Sequence, residues 1–230
     1  MGDPTPAGKA PYYSDEWVTL WHGDCLELTE WTAADVLVTD PPYGRAWRQG
    51  DLHGAKRDGI TGDESTAVRD AALALWGTER RAVVFGDLML PPPIGTKLVG
   101  AYRKALDSGV RGAMGGVRRD LEAIYLVGRW PSGIGGRSSL FPTRAPLVGS
   151  PNGIVARGGG HPHTKPQDVL GELILLTQGT IADPFNGGGS VAVAAKAAGR
   201  RCVAVEIEER YCEITAKRLS QDALDFGAVS

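Results

Sequence analysis

A glycine-rich loop near the end of this 230-residue chain, set between two short apolar segments, limits its fold most strongly. Residues 181–183 lead into Gly187-x-Gly189, an alanine-rich run follows, and a second apolar segment ends at Glu206. Because alanine favours helix, the predicted order is strand, glycine loop, helix, strand and acid. This order, with the acid roughly 20 residues beyond the loop, is typical of α/β folds that bind an adenosine-containing cofactor.

The charge just before the glycines indicates which cofactor the loop suits. Asp183 precedes the loop, and a carboxylate there would repel the pyrophosphate that a nicotinamide cofactor lays on a helix N-terminus. It would attract the ammonium group of S-adenosylmethionine, which carries no phosphate. The alternative is that Asp183 only caps the helix or braces the loop.

A second motif, Asp40-Pro41-Pro42-Tyr43, closes the apolar run Val36–Val38. Proline fixes φ and restricts the residue before it, so the carbonyl groups of this turn are rigidly oriented. A carboxylate, a fixed carbonyl and an aromatic ring at the end of a parallel strand suit a planar base that bears an amine. The alternative is a buried strand followed by an ordinary Pro-Pro turn.

Together the two motifs resemble those of the amino-group DNA methyltransferases, which modify exocyclic nitrogens of adenine or cytosine. The catalytic motif precedes the glycine loop, as in the circularly permuted β class of that family. The resemblance implies an α/β, Rossmann-like methyltransferase fold that uses S-adenosylmethionine. It further implies a mostly parallel twisted sheet with helices on both faces, in one domain over residues 1–230.

The resemblance also assigns site residues. Asp40, Pro41, Pro42 and Tyr43 are the expected catalytic residues. Within the expected cofactor site, Asp24 matches an adenine-edge motif and Glu206 matches the ribose-binding acid. Lys165 either neutralises the cofactor carboxylate or is an ordinary polar residue at the start of a helix. The full expected cofactor set is Asp24, His161, Thr164, Lys165, Asp183, Pro184, Phe185, Asn186, Gly187, Gly189 and Glu206.

The proposed chemistry is direct methyl transfer to a flipped base. Asp40 and the Pro41 carbonyl would accept hydrogen bonds from the amine, and Tyr43 would stack on the extrahelical base. An aspartate at the head of the motif favours adenine N6, whereas serine is commoner in cytosine N4 enzymes of the family. The alternatives are cytosine N4, a methyltransferase for RNA or protein glutamine, a non-catalytic nucleic-acid binder and a nicotinamide oxidoreductase.

The resemblance implies double-stranded DNA as the partner, and the distribution of charge agrees with phosphate binding. The whole chain carries −2, yet residues 80–157 contain 12 Lys and Arg against 4 Asp and Glu. Such a local excess of positive charge suits phosphate binding, although a basic surface without function is the alternative. We predict a mobile substrate-closing loop at 45–64, a helix at 96–108 and a target-recognition insert at 129–160. The candidate DNA-binding residues are Arg45, Arg48, Arg129, Arg137, Arg144 and Arg157.

Composition narrows the remaining classes. No apolar run approaches the ~20 residues that span a bilayer, and the first residues lack the features of a signal peptide. The three cysteines and four histidines have no spacing typical of a disulfide framework or a metal site, so we expect a cytoplasmic protein, bacterial or phage-encoded, without a metal. A homodimer is expected from the resemblance alone.

Overall fold

The computed structural model describes residues 10–44, 65–106, 108–109, 113–145 and 164–225. The strands are β1 (Tyr13–Ser14), β2 (Val18–His22), β3 (Val36–Thr39), β4 (Ala82–Gly86), β5 (Thr96–Arg103), β6 (Leu121–Val127), β7 (Leu140–Pro142), β8 (Ile181–Asp183) and β9 (Cys202–Glu206). The helices are α1 (Ala67–Trp76), α2 (Gln167–Ile174), α3 (Ser190–Ala197) and α4 (Glu209–Asp225), and a 3₁₀ turn spans Glu30–Ala33.

These strands form a single sheet in the order β1-β2-β9-β8-β3-β4-β6-β5-β7. Its centre, from β2 through β9, β8 and β3 to β4, is parallel. Strands β6 and β5 extend it antiparallel beyond β4, and β7 pairs parallel with β5 at the edge. The predicted α/β fold with a mostly parallel sheet is therefore confirmed.

Helices cover both faces of the sheet. On one face, α2, α3 and α4 contribute Leu170, Ala195 and Leu219 to a buried apolar cluster. On the other face, α1 and the 3₁₀ turn bury two tryptophans, Trp76 and Trp31, whose rings stack with centroids 6.1 Å apart. Burial of both faces explains why the central strands are mostly apolar, with polar residues mainly at their carboxyl ends, as is typical of parallel strands between two helical layers.

The order in which the chain adds strands to the sheet reverses between β8 and β3. From β8 it passes through α3 to β9 on one side, and from β3 it passes through α1 to β4 on the other. In open α/β sheets a crevice forms at such a switch point, outside the carboxyl ends of the strands. Asp183 ends β8 and Asp40 follows β3, so both acidic residues lie at this crevice.

Three predicted segments differ from the structure or lie beyond it. The helix predicted at 96–108 is wrong: residues 96–103 form β5, which pairs with β6 on one side and β7 on the other. Gly100 permits this pairing, since a Cβ there would lie 2.7 Å from the Ser139 carbonyl oxygen. Residues 129–160 include β7, while 146–160 and the loop at 45–64 lie outside the described residues. In the described part of the chain, no helix is long and apolar enough to cross a membrane.

Candidate active site

Asp183 is the most deeply buried acid at the crevice, with 1% of its surface exposed. Its Oδ1 accepts hydrogen bonds from the Thr39 hydroxyl at 2.7 Å and, more weakly, from the Phe185 amide at 3.3 Å. Burial raises the pKa of the Asp183 carboxyl to about 7; the two hydrogen bonds oppose this rise, while nearby Asp40 and Glu206 add to it. A carboxylate held in this way would be stabilised by a cation.

The glycine loop and Glu206 form the adjoining wall. Gly187 and Gly189 have φ of 50° and 79°, values that favour glycine. A Cβ on Gly189 would also lie 2.7 Å from the Thr215 side chain. Glu206 accepts hydrogen bonds from the amides of Gly187 (2.6 Å) and Glu208 (2.8 Å), so its carboxylate is held at the mouth of the loop. Burial raises the pKa of Glu206 as well.

The residues predicted to bind the cofactor largely converge at this place. The Gly23 amide donates to the Glu206 carbonyl at 2.9 Å, which brings Asp24 beside the loop. Asn186 is buried and donates to the Thr215 hydroxyl at 2.9 Å. We call this group the cofactor half of the site: Asp24, Asp183, Pro184, Phe185, Asn186, Gly187, Gly189 and Glu206. His161 lies outside the described residues.

Asp40 belongs to a second group of charged side chains, on the other side of Thr39. Its Oδ1 accepts a hydrogen bond from the Tyr43 hydroxyl (2.8 Å), and its Oδ2 accepts one from Lys165 Nζ (2.5 Å). Lys165 Nζ and the Tyr43 hydroxyl also approach Glu122 Oε2, at 3.3 Å and 3.0 Å. We call Asp40, Tyr43, Glu122 and Lys165 the amine half of the site.

The charges of the amine half stabilise one another. Burial would lower the pKa of Lys165, but Asp40 and Glu122 outweigh it and the pKa is raised. Burial would raise the pKa of Glu122, yet Lys165 and Lys104 bring it down to about 2. The Tyr43 phenol, buried and facing two carboxylates, has a pKa well above its ordinary value. Lys165 is thus an ammonium, Glu122 a carboxylate and Tyr43 a neutral hydroxyl.

Sequence reasoning missed Glu122 and its outer partner Lys104, whose Nζ lies 2.6 Å from Glu122 Oε1. Strand β6 is antiparallel to β4, with Ala123 opposite Gly86, so β6 begins at the edge where the parallel strands end. Glu122 is the single charge within the seven-residue run of β6. That lone charge was the available signal, but only the sheet order shows that it faces Asp40.

The predicted DNA-binding arginines are spread over different parts of the sheet. Arg129 follows the far end of β6, opposite the edge that carries Asp40, and pairs with Glu79 at 2.9 Å. Arg137 lies 3.8 Å from Glu172. Arg144 is exposed and follows β7, which ends level with Arg103 at the edge of the active site. Arg45, Arg48 and Arg157 lie outside the described residues.

Solved structures of DNA methyltransferases share this fold. The chain superposes on the M1.HpyAVI–SAM complex with a TM-score of 0.61 and 19% identity, covering 88% of this chain and 98% of that one. It superposes on PvuII DNA methyltransferase (cytosine-N4-specific) with a TM-score of 0.65 and 17% identity, covering 92% and 89% of the two chains. At these identities the likeness establishes the fold, which is α/β and Rossmann-like.

Sequence comparison gives the family resemblance. Residues 127–217 match the N6_N4_Mtase family model, described as DNA methylase. Type II methyltransferase M2.LlaDCHI of Lactococcus lactis subsp. cremoris is 38% identical over 68 residues, and M2.DpnII of Streptococcus pneumoniae is 40% identical over 67 residues. Each match covers 28% of this chain and 25% of the relative. The predicted resemblance to the amino-group DNA methyltransferases is thereby confirmed.

Proposed function

We propose that this protein is a DNA methyltransferase that transfers a methyl group from S-adenosylmethionine to an exocyclic amine of a flipped base. The observation that carries the proposal is the adjacency of Asp183 and Asp40 at the switch point. They lie at the ends of neighbouring parallel strands, and Thr39, the residue before Asp40, donates its hydroxyl proton to Asp183 at 2.7 Å. A methyl donor held by one acid would therefore lie beside an amine held by the other.

The cofactor half fits S-adenosylmethionine in its chemistry. Asp183 offers a buried carboxylate to the ammonium group, and Glu206 is fixed by two backbone amides with lone pairs left for ribose hydroxyls. A side chain at position 189 would collide with Thr215, so glycine there lets the loop pack closely against α4. When bound, S-adenosylmethionine supplies an electrophilic methyl group.

The amine half prepares the nucleophile. An exocyclic amine is a poor nucleophile because its lone pair is delocalised into the ring. Hydrogen bonds from its N–H groups to the Asp40 carboxylate and the Pro41 carbonyl would shift the nitrogen towards tetrahedral geometry and free that lone pair. When the methyl group forms its bond to nitrogen, its bond to sulfur breaks and a neutral thioether is left. The proton that the amine loses would pass to the Asp40 carboxylate and then to solvent. Alignment and electrostatic preorganisation lower the barrier without a covalent intermediate. Flipping the base costs a few kcal/mol, and stacking on the Tyr43 ring would recover about 1–3 kcal/mol.

Adenine N6 is the favoured target because an aspartate leads the catalytic motif, and cytosine N4 is the second candidate. The cytosine-N4-specific structural neighbour shares the fold at 17% identity, so it does not change that preference. We further propose that the substrate is double-stranded, that the protein acts in the cytoplasm of a bacterium or from a phage genome, and that it forms a homodimer in the manner of its family.

The direct test is methyl transfer from tritiated S-adenosylmethionine to plasmid DNA, heat-denatured DNA, total RNA and a glutamine-bearing protein, followed by digestion and chromatography. We expect label in N6-methyladenine from the duplex. Label in N4-methylcytosine would select the second candidate, and label in RNA or protein would overturn the choice of substrate. Absence of label from every acceptor, in a protein that still binds the cofactor, would contradict the proposal.

A further inference from the structure

Both oxygens of the Asp40 carboxylate already have partners within the protein. Tyr43, three residues along the chain, donates to Oδ1, while Lys165, 125 residues away, donates to Oδ2. Lys165 is 5% exposed, so its ammonium group is buried against this carboxylate rather than directed to solvent. The torsion that turns a carboxylate about its last bond is soft. Two donors on opposite oxygens therefore fix a plane that the side chain alone would not keep.

Glu122 in turn holds Lys165. Its Oε2 lies 3.3 Å from Lys165 Nζ and accepts a hydrogen bond of 3.0 Å from the Tyr43 hydroxyl, while its Oε1 is bound by Lys104 at 2.6 Å. A phenol has one proton, so the Tyr43 hydroxyl donates to one of the two carboxylates at a time. Asp40 and Glu122 are thus joined by two shared donors, one charged and one neutral.

We propose that Lys165 is a positioning residue for Asp40 and that Glu122 acts through Lys165, so that the catalytic carboxylate is oriented before the base arrives. The inference rests on the proposed function and adds to it two residues that never touch the reacting atoms. Asp40 presents one edge to the target amine only if its plane is fixed, and a misplacement of about 1 Å can cost about 10²-fold in rate.

The charge balance of the cluster explains why a second acid is needed. A buried lysine paired with Asp40 alone would neutralise the carboxylate that must polarise the amine. Glu122 shares the ammonium group of Lys165, and Lys104 binds the other oxygen of Glu122 at 2.6 Å. The two acids and two lysines therefore balance one another, and the ammonium group of Lys165 is not spent on Asp40 alone. Among the described residues, the other groups facing Lys165 are the rings of Tyr43 and Phe85, 5.4 Å and 5.2 Å from Nζ, and neither carries charge.

This geometry assigns Lys165 to the amine half and not to the carboxylate of the cofactor. The two assignments predict different defects. A lysine that binds the cofactor would, when removed, weaken cofactor affinity. A lysine that orients Asp40 would slow methyl transfer and leave cofactor and DNA affinity nearly intact, because both ligands would still find their own contacts.

The test compares Lys165→Met, Lys165→Arg, Glu122→Gln and the double variant Lys165→Met/Glu122→Gln in the full-length protein. Lys217→Met and Glu213→Gln, which alter an exposed ion pair of 2.6 Å on α4, serve as matched controls. The readouts are the single-turnover rate of methyl transfer, the dissociation constants of S-adenosylmethionine and duplex DNA, and the pH dependence of the rate.

We expect Lys165→Met to slow methyl transfer by about 10²-fold and Glu122→Gln by about tenfold, with ligand affinities within about twofold of wild type. Because Glu122 acts through Lys165, the double variant should be no slower than Lys165→Met alone. Glu122 helps to raise the pKa of Lys165, so the alkaline decline of the rate should begin at lower pH in Glu122→Gln. If Glu122→Gln slowed the reaction only by disturbing the fold, the alkaline decline of the rate would begin at the same pH as in the wild type. Lys165→Arg keeps the positive charge and should therefore be faster than Lys165→Met.

The outcomes separate the two proposals. A wild-type protein that methylates no acceptor overturns the proposed function and this inference together. An active wild type with an unchanged rate in Lys165→Met, or with weakened cofactor affinity as the main defect, overturns the inference alone. If Lys165→Met loses its cooperative melting transition, the inference is tested with two other variants. These are the double variant, which removes both charges together, and Lys165→Arg. Additive losses in the double variant would contradict the inference, and so would an alkaline limb in Glu122→Gln that stays where it is in the wild type.

Discussion

Asp183 and Asp40 lie at the ends of neighbouring strands, yet their carboxyl groups differ in burial and in the charge of their hydrogen-bond partners. Asp183 is 1% exposed, its hydrogen-bond donors among the described residues are the neutral Thr39 hydroxyl and Phe185 amide, and burial raises its pKa to about 7. The Asp40 side chain is 19% exposed and already holds an ammonium group at 2.5 Å. The cofactor half therefore favours an incoming cation, whereas the amine half is neutralised and aligned from within. We expect substitutions in the two halves to damage different steps.

The largest effect should follow Asp40→Ala. Removal of the acceptor for the amine should reduce the single-turnover rate by about 10³-fold, the upper end of what loss of one preorganised polar group at a reacting centre costs. Cofactor affinity should stay close to wild type, because the cofactor half is built from other side chains. Single-turnover assays and calorimetric titration of S-adenosylmethionine measure the two quantities.

Asp40→Asn is the matched control for shape, and it should also be slow because the charge is gone. A collapse of cofactor affinity in either variant would show that the two halves are not separate, and the comparison would fail.

Asp183→Asn should have the converse and smaller effect. The Thr39 hydroxyl can still donate to the amide oxygen, so the local fold should persist, but the ammonium group loses its counter-charge. Hydrogen bonds to charged groups are worth about 1.5–3 kcal/mol, which corresponds to a loss of roughly 10- to 150-fold in cofactor affinity. The rate at saturating cofactor should change little. A variant that binds normally but transfers slowly would place Asp183 in the amine half.

The cofactor affinity of the wild type should depend on pH. With its pKa raised to about 7, the Asp183 carboxyl is largely protonated in the free protein below that pH. Binding a cation requires the ionised form, so a proton must leave and affinity should fall as pH decreases from about 7, by at most about tenfold per unit for one proton. Calorimetry in buffers of different ionisation enthalpy would count the proton released.

Asp183→Asn should flatten most of this pH dependence. Burial also raises the pKa of Glu206, so we assign to Glu206 any pH dependence of cofactor affinity that remains in Asp183→Asn. Adding Glu206→Gln to Asp183→Asn should remove that remainder. An Asp183→Asn profile as steep as that of the wild type would contradict the assignment of the titrating group.

The two halves also differ in how far the sequence could predict them. The cofactor half is mostly contiguous: Asp183 to Gly189 form one loop, and Glu206 follows one helix and one strand later, so local spacing was sufficient. The amine half joins residues that are distant along the chain, with Glu122 79 residues beyond Tyr43. They come together only because β6 pairs antiparallel with β4. The local spacing of residues does not indicate that pairing.

The same limit explains the wrong helix at 96–108. Leu98, Tyr102 and Leu106 are spaced as on a helix, but Leu98 is 49% exposed and Tyr102 is 4% exposed. Pairing on both edges with β6 and β7 outweighs that periodicity, because β structure depends on neighbours that the local sequence does not include. The prediction for Arg129 has the same limit: whether a basic residue lies near Asp40 depends on strand direction, which composition does not give.

Strand direction leads to the smallest predicted effect, which tests whether DNA approaches over the amine half. Arg144 follows β7 at the edge that carries Asp40, whereas Arg129 lies at the opposite edge and pairs with Glu79. Arg144→Ala should weaken duplex binding a few-fold and reduce the salt slope of log K by about 1, the signature of one lost phosphate contact. Arg129→Ala is the matched control and should leave both unchanged, as measured by fluorescence anisotropy across salt concentrations. Each phosphate contact affects binding only where the duplex touches the protein. An equal loss of affinity in the two variants would therefore mean that the duplex also contacts the far edge of the sheet. The amine half would then not be the sole face towards DNA.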